Sequence, residues 1–285
     1  MKATFCFWSS YYYDLNFEEA VSRFIDNGVC AIELSSEHAK ELYERDEDIY
    51  ATASSVRAYL EEKGMTMTQG HLPLRFKIVE QRDEISDVLR YIDFYEALGI
   101  RSLVLHCDRM YGRPHASAEE RIRENVISLK IIAEHIQNKD IYICLENLRA
   151  PTVFPVDDPI PLGLADDLIR IIDAVGSERF AICLDTGHLN LVGETNQEEF
   201  ILKAGSRLRA LHIADNQNYY DLDEHLMPFG RGKVDFFAVV RGLRKVSYEG
   251  MFNYELPGEN KAPLPIRDAK IQYIKICYDY LMSQE

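Results

Sequence analysis

Short apolar, β-rich runs alternate along the 285 residues with longer stretches whose apolar positions recur every three or four residues. Short runs bounded by turn residues read as buried strands, whereas the 3.6-residue spacing reads as amphipathic helix. Eight runs predict strands over residues 3–8, 30–34, 66–71, 102–106, 141–146, 180–185, 210–213 and 251–255. Between them, Ile85, Val88, Leu89, Ile92, Tyr95 and Leu98 make a helical stripe that stops at Gly99. Ile122, Val126, Leu129, Ile132, Ala133 and Ile136 make a second stripe. Leu164, Leu168, Ile171, Ile172 and Val175 make a third, ahead of Gly176, and residues 266–281 supply the last. This alternation predicts a parallel sheet with crossover helices. Eight right-handed units close most simply into a single (β/α)8 TIM barrel of the α/β class, spanning residues 1–285 as one domain. An open doubly wound sheet is the alternative, but no glycine-rich dinucleotide turn follows the first strand.

Composition supports a large core: 47% of residues are hydrophobic and 28% charged. A formal net charge of −15 disfavours a nucleic-acid partner. No apolar run approaches the roughly 20 residues that a membrane-spanning helix needs. The opening residues, from Met1 to Trp8, read as a first strand rather than a leader, which points to the cytoplasm. Cys6, Cys30, Cys107, Cys144, Cys183 and Cys277 form no Cys-x-x-Cys pair, so reduced, buried thiols are expected rather than a zinc knot.

Barrel enzymes build their sites at the C-terminal strand ends. Those positions hold His71, His106, Glu146, Asp185, His212 and Glu255, on strands three to eight. One strand-end histidine is usually structural. Six consecutive strands ending in ligand-type side chains instead converge on one mouth, where like charges need a cation to coexist. Glu146, Asp185, His212 and Glu255 make a suitable ligand set for Mn²⁺, Co²⁺, Mg²⁺ or Zn²⁺, with positions left open for substrate oxygens.

The flanking loops add candidates. His188 lies three residues beyond Asp185, placed to ligate, bind substrate, shuttle a proton or simply cap the next helix. Asp223 and His225 form an Asp-x-His pair that can clamp a metal. Gly230 and Gly232 permit close backbone approach, with Arg231 and Lys233 adding positive charge for a phosphate. Arg75, Arg109, Arg113 and Arg149 follow other strand ends and make the mouth more basic than the whole. Trp8, Tyr11, Tyr12 and Tyr13 follow the first strand, either as a wall for a sugar face or as a packed aromatic loop.

These motifs resemble those of the xylose isomerase-like barrels, which include sugar-phosphate isomerases and epimerases, inosose dehydratases and the endonuclease IV enzymes. The resemblance covers essentially the whole chain. It rests on His71-Leu72-Pro73, Leu105-His106, Leu145-Glu146-Asn147, Leu184-Asp185-Thr186-Gly187-His188 and Leu211-His212-Ile213. Asp223-Glu224-His225, Gly230-Arg231-Gly232 and Tyr254-Glu255 complete it. For the sugar-handling members it implies one catalytic divalent ion on Glu146, Asp185, His212 and Glu255. Glu146 and Glu255 then act as acid and base, and His188 contacts substrate.

The expected activity is thus isomerisation or epimerisation of a sugar or sugar phosphate, by proton abstraction beside a carbonyl and a metal-stabilised enediolate. Arg149, Arg231, Lys233 and Trp8 are further substrate-binding candidates. For the endonuclease IV members the resemblance implies three Zn²⁺ ions, with His71, His106, His188, Asp223 and His225 as additional ligands and an abasic-site phosphodiesterase activity. The loop Asn147-Leu148-Arg149-Ala150-Pro151 lacks the small glycine-rich turn of repair members, and basic or intercalating loops are missing. A barrel that binds a metabolite without turnover is the third reading.

Overall fold

A computed structural model describes residues 2–149, 162–192, 196–219, 222–258 and 260–284. Eight strands run parallel: β1 (Thr4–Trp8), β2 (Ala31–Leu34), β3 (Thr66–His71), β4 (Ser102–Leu105), β5 (Tyr142–Glu146), β6 (Phe180–Asp185), β7 (Leu208–His212) and β8 (Met251–Tyr254). From β1 to β7 each pairs with the next in sequence, and β8 pairs with β1. The remaining seam is closed by Ile213, which bridges to Tyr254. Its N–H donates to the Asn253 carbonyl at 2.8 Å, and the Glu255 N–H donates back to the Ile213 carbonyl at 3.2 Å. The result is a (β/α)8 TIM barrel, as the alternating pattern predicts.

The helices form the outer layer. They are α1 (Phe17–Asp26), α2 (Ser36–Tyr43), α3 (Ile49–Lys63), α4 (Ile85–Ala97), α5 (Ala118–Ile136), α6 (Ala165–Val175), α7 (Thr186–Asn190), α8 (Gln197–Ala204), α9 (Phe236–Lys245) and α10 (Leu264–Ser283). Three of the anticipated stripes coincide with α4, α5 and α6, and the last with α10. Local chemistry sets several ends. Asn16 and Glu19 make a reciprocal capping box on α1, while Gly64 and Gly176 close α3 and α6 in the left-handed conformation.

The barrel interior explains where the site lies. Small side chains fill its lower part: Cys144 on β5, Ala181 and Cys183 on β6, Ala210 on β7, with Val104 on β4. Side chains alternate faces along a strand. Two residues after Val104, Cys144, Cys183 and Ala210 come His106, Glu146, Asp185 and His212, which therefore face the same interior one layer higher. The cysteines are all free thiols. Cys30 departs from expectation: it is exposed and lies just ahead of β2 rather than inside the strand.

Candidate metal centre and cavity

Glu146, Asp185 and His212 end β5, β6 and β7, Glu255 directly follows β8, and one ligand atom from each lies within 4.8 Å of all the others. Asp185 and His212 are direct register partners across β6 and β7. All four are buried. The His212 Nδ1 stands 3.2 Å from a Glu146 oxygen and 3.2 Å from a Glu255 oxygen. Asp185 divides its labour. One oxygen caps α7 by accepting the His188 N–H at 2.6 Å, while Oδ2 is buried without a hydrogen-bond partner. The His212 Nδ1 is likewise buried without a hydrogen-bond partner. Two orphaned polar atoms in a cluster of three carboxylates are what a divalent cation satisfies. The residues present fit such an ion.

Neighbouring imidazoles and burial compete for each carboxylate of the cluster. Burial raises the Glu146 carboxyl, but the imidazoles of His106 and His212 outweigh it and hold the group well below the usual range. Burial likewise works against Glu255, yet His212 and His225 bring it down to about 2. Asp185 goes the other way: burial pushes it up to about 7 despite His188 and His225. It is the carboxylate most in need of an added positive charge.

A second group borders the first. His106 Nε2 lies 3.0 Å and His71 Nε2 3.5 Å from one Glu146 oxygen. The other nitrogen of His71 is 2.7 Å from the Leu72 carbonyl, to which it donates. On the opposite wall, Asp223 stands between two imidazoles, 2.9 Å from His188 Nε2 and 3.2 Å from His225 Nε2. Burial raises Asp223, and these two neighbours overcome it and hold the carboxyl far below its ordinary value. His225 is pushed up to about 10, its burial outweighed by Asp223, Glu255 and Asp185. Its backbone has φ +43°, a strained left-handed conformation for a histidine.

A cavity of about 330 Å³ opens above the cluster. Glu146, Glu255, His71, His106, His188, Asp223, Glu224 and His225, with Ser36, give its polar lining, and Trp8, Leu74 and Pro257 an apolar wall. All nine ligand-type candidates thus come together, seven on the cavity surface and Asp185 and His212 beneath it.

The basic candidates behave differently. Arg149 approaches Asp223 at 3.9 Å without lining the cavity. Arg231 is 68% exposed and pairs with Glu224 at 3.3 Å, and Lys233 is also outside the lining. Arg75 stacks on Phe76 and Tyr91, Arg113 pairs with Glu120, and Arg109 lends its carbonyl to Arg121. A basic mouth is therefore not found among the described residues; Ala150 and Pro151 lie outside them. Of the aromatic run only Trp8 reaches the cavity. Tyr11 and Tyr12 are buried, donating to the Arg267 carbonyl and to Asp268, and Tyr13 accepts from Asn260 at the surface.

Glu33 escapes a search confined to strand ends. It is fully buried on β2, 3.1 Å from the His212 Nε2. The signal was a lone carboxylate in an otherwise apolar four-residue strand. Asn147 is another such residue: its amide takes the Asp185 N–H at 2.7 Å and donates to the Asp185 carbonyl at 3.0 Å, splinting β5 to β6.

A parallel barrel with a buried carboxylate–imidazole cluster at its C-terminal mouth matches a known group. The profile of the xylose isomerase-like TIM barrel family covers residues 22–277, and the chain belongs to that family. Among its relatives, a D-psicose 3-epimerase of Enterocloster bolteae is 23% identical over 257 residues, spanning 86% of this chain and 78% of the relative. The crystal structure of a D-psicose 3-epimerase from Clostridium cellulolyticum H10, holding D-tagatose, superposes with a TM-score of 0.78. Identity there is 16%, with 100% of both chains covered. A 3-keto-D-glucoside 4-epimerase from E. coli gives 0.74 at 19% identity, over 97% of this chain and 100% of that one. At such identities the solved structures speak for the fold.

Proposed function

We propose that this protein is a divalent-metal-dependent sugar isomerase or epimerase, with Glu146 and Glu255 as its acid–base pair. The observation that carries the reading is the convergence of Glu146, Asp185, His212 and Glu255, two of them with unpartnered buried atoms, beneath a cavity that Glu146 and Glu255 both line. Those four would hold the ion. Bound there, it would supply Lewis-acid stabilisation of the negative charge that develops on a carbonyl oxygen when the adjacent proton leaves.

The protein's own groups do the rest. Glu146 and Glu255 both face the cavity, where the carboxylate of either can accept a proton from carbon and its conjugate acid can return one. Drawing the proton to one glutamate and returning one from the other on the opposite face inverts a carbon centre; returning it to the neighbouring carbon, with a hydroxyl proton passing between the two oxygens, moves the carbonyl. His188 and Asp223 offer hydrogen-bond partners for sugar hydroxyls, and Trp8, Leu74 and Pro257 face the C–H side of the ring or chain. The volume is at the small end for ligand sites, which suits a monosaccharide. The described lining holds four carboxylates and four imidazoles without lysine or arginine, which favours an unphosphorylated sugar. On this reading residues 1–285 form one barrel domain working in the cytoplasm, where free thiols such as these persist.

The test is incubation of Mn²⁺- or Co²⁺-loaded protein with a panel of free and phosphorylated ketoses in deuterated water. Conversion with deuterium entering at the carbon beside the carbonyl, abolished by chelation, is expected. Absence of both conversion and exchange across the panel would sink the proposal. A second reading has its own support: His71, His106 and Glu146 form one further potential ligand group, and Asp185, His188 and His225 another. Three zinc ions per chain with cleavage of an abasic-site duplex would favour that phosphodiesterase reading.

A further inference from the structure

Glu33 is fully buried, and among the described residues no lysine or arginine pairs with it. A carboxylate so placed is expensive unless its environment supplies hydrogen bonds or charge. Its two oxygens have separate partners: Oε1 meets the His212 Nε2 at 3.1 Å, and the other oxygen accepts from the Asn253 amide. The residues come from β2, β8 and the end of β7, so the contacts cross the barrel interior rather than follow one strand pair. A carboxylate can only accept, so the hydrogen of the imidazole must sit on Nε2. That leaves Nδ1 as the nitrogen facing Glu146 and Glu255, each 3.2 Å away.

We infer that Glu33 is a positioning residue for the metal centre: it selects the tautomer and orientation of His212, and Asn253 holds Glu33 in turn. This rests on the proposed ligand role of His212. A ligating imidazole whose far nitrogen donates to a carboxylate is both oriented and made a better donor, and losing such a partner typically weakens metal binding by roughly 10–100-fold. Packing offers no competing explanation for the residue. Leucine would fill the space without any need for a partner, and Asn253 already leaves its own carbonyl oxygen unpaired in the same interior.

The test is Co²⁺ and Mn²⁺ affinity of the full-length chain, measured by competition against a chelating indicator, for wild type, Glu33→Gln and Glu33→Leu. The Co²⁺ visible spectrum is recorded alongside. Affinity should fall in the order wild type, glutamine, leucine, with about a 10–100-fold loss for leucine and partial recovery by glutamine, whose carbonyl still accepts from Nε2. The Co²⁺ bands should shift in parallel. If the leucine variant does not fold, glutamine alone decides. Folded variants that melt earlier yet match wild type in affinity and spectrum would overturn the inference and leave the proposed metal centre standing. A wild-type chain that takes up neither ion would overturn both.

Discussion

The carboxylate of Asp215 occupies the space where a side chain on Gly232 would have to begin. A Cβ built there would lie 2.0–2.2 Å from the Asp215 carboxylate atoms. Asp215 uses this closeness to accept the N–H groups of Asn216 and Val234, each at 2.9 Å, pinning the two ends of the loop after β7. Its main chain also pairs with Leu226 in both directions. Asp223 and His225 ride on the loop so held.

Gly232→Ala should therefore disturb the cavity from a distance. Overpacking of this kind costs about 1–3 kcal/mol. We expect a lower melting temperature and turnover reduced well beyond the loss of folded protein. Melting and kinetics on the same preparation check this, and wild-type turnover in the alanine variant would refute it.

Replacing the acid–base pair should separate chemistry from metal binding. Glu146→Gln and Glu255→Gln keep an oxygen for a cation but cannot accept a proton from carbon. Turnover should fall about 10²–10⁴-fold in each. Metal content, measured in parallel, decides whether the loss is chemical. Full turnover in both variants with metal bound would remove the glutamates from the mechanism.

Metal removal should cost stability as well as activity. Three clustered carboxylates, one of them pushed up to about 7 by burial, are relieved by an added cation. A ligand present at 100 times its Kd stabilises the fold by about 2.7 kcal/mol. Thermal melts with Mn²⁺ and with excess chelator should differ accordingly, and superimposable melts would contradict it.

Away from the site, Arg267 supplies a pH-dependent fastening. Its buried guanidinium grips Asp14 in a two-bonded contact of 2.8 and 2.9 Å and donates to the Tyr11 carbonyl at 2.7 Å. The hydrogen bond from Arg267 lowers the Asp14 carboxyl, with burial opposing only partly. A lowered folded-state value means that the contribution is present above the unfolded value of about 3.9 and lost as pH falls through the folded one. Asp14 is partly exposed, so about 1 kcal/mol is a suitable scale. Denaturant melts of wild type and Asp14→Asn at pH 7 should differ by that amount, with the gap closing as the pH falls below that unfolded value.

Much of the barrel could be read from periodicity because burial on one face writes itself into spacing. The stripes of α4, α5 and α6 and all eight strands were recognisable, the strands to within two residues at each end. Strand-end ligands were legible for the same reason: polar residues terminating apolar runs have few other places to face. The pairs α2–α3 and α7–α8, each sharing one crossover, were not, since α2, α7 and α8 are short and their caps decide them locally. Tyr11 and Tyr12 take the second of their two readings, the packed aromatic loop, because sequence alone does not tell a wall from a wedge. Their hydroxyls reach α10, some 256 residues away. Of the arginines, Arg75 meets aromatic rings and Arg113, Arg149 and Arg231 meet carboxylates, and none of the four lines the cavity.

The seam at Ile213 has a consequence for how the protein is made. Every proposed ligand lies in the second half of the chain, and the last, Glu255, is placed by a hydrogen bond to Ile213 across that seam. A nascent chain emerging from the ribosome would expose Glu146, Asp185 and His212 long before the strand that completes the set. Metal capture at full affinity would then be a late event in biosynthesis, one that reports a finished barrel.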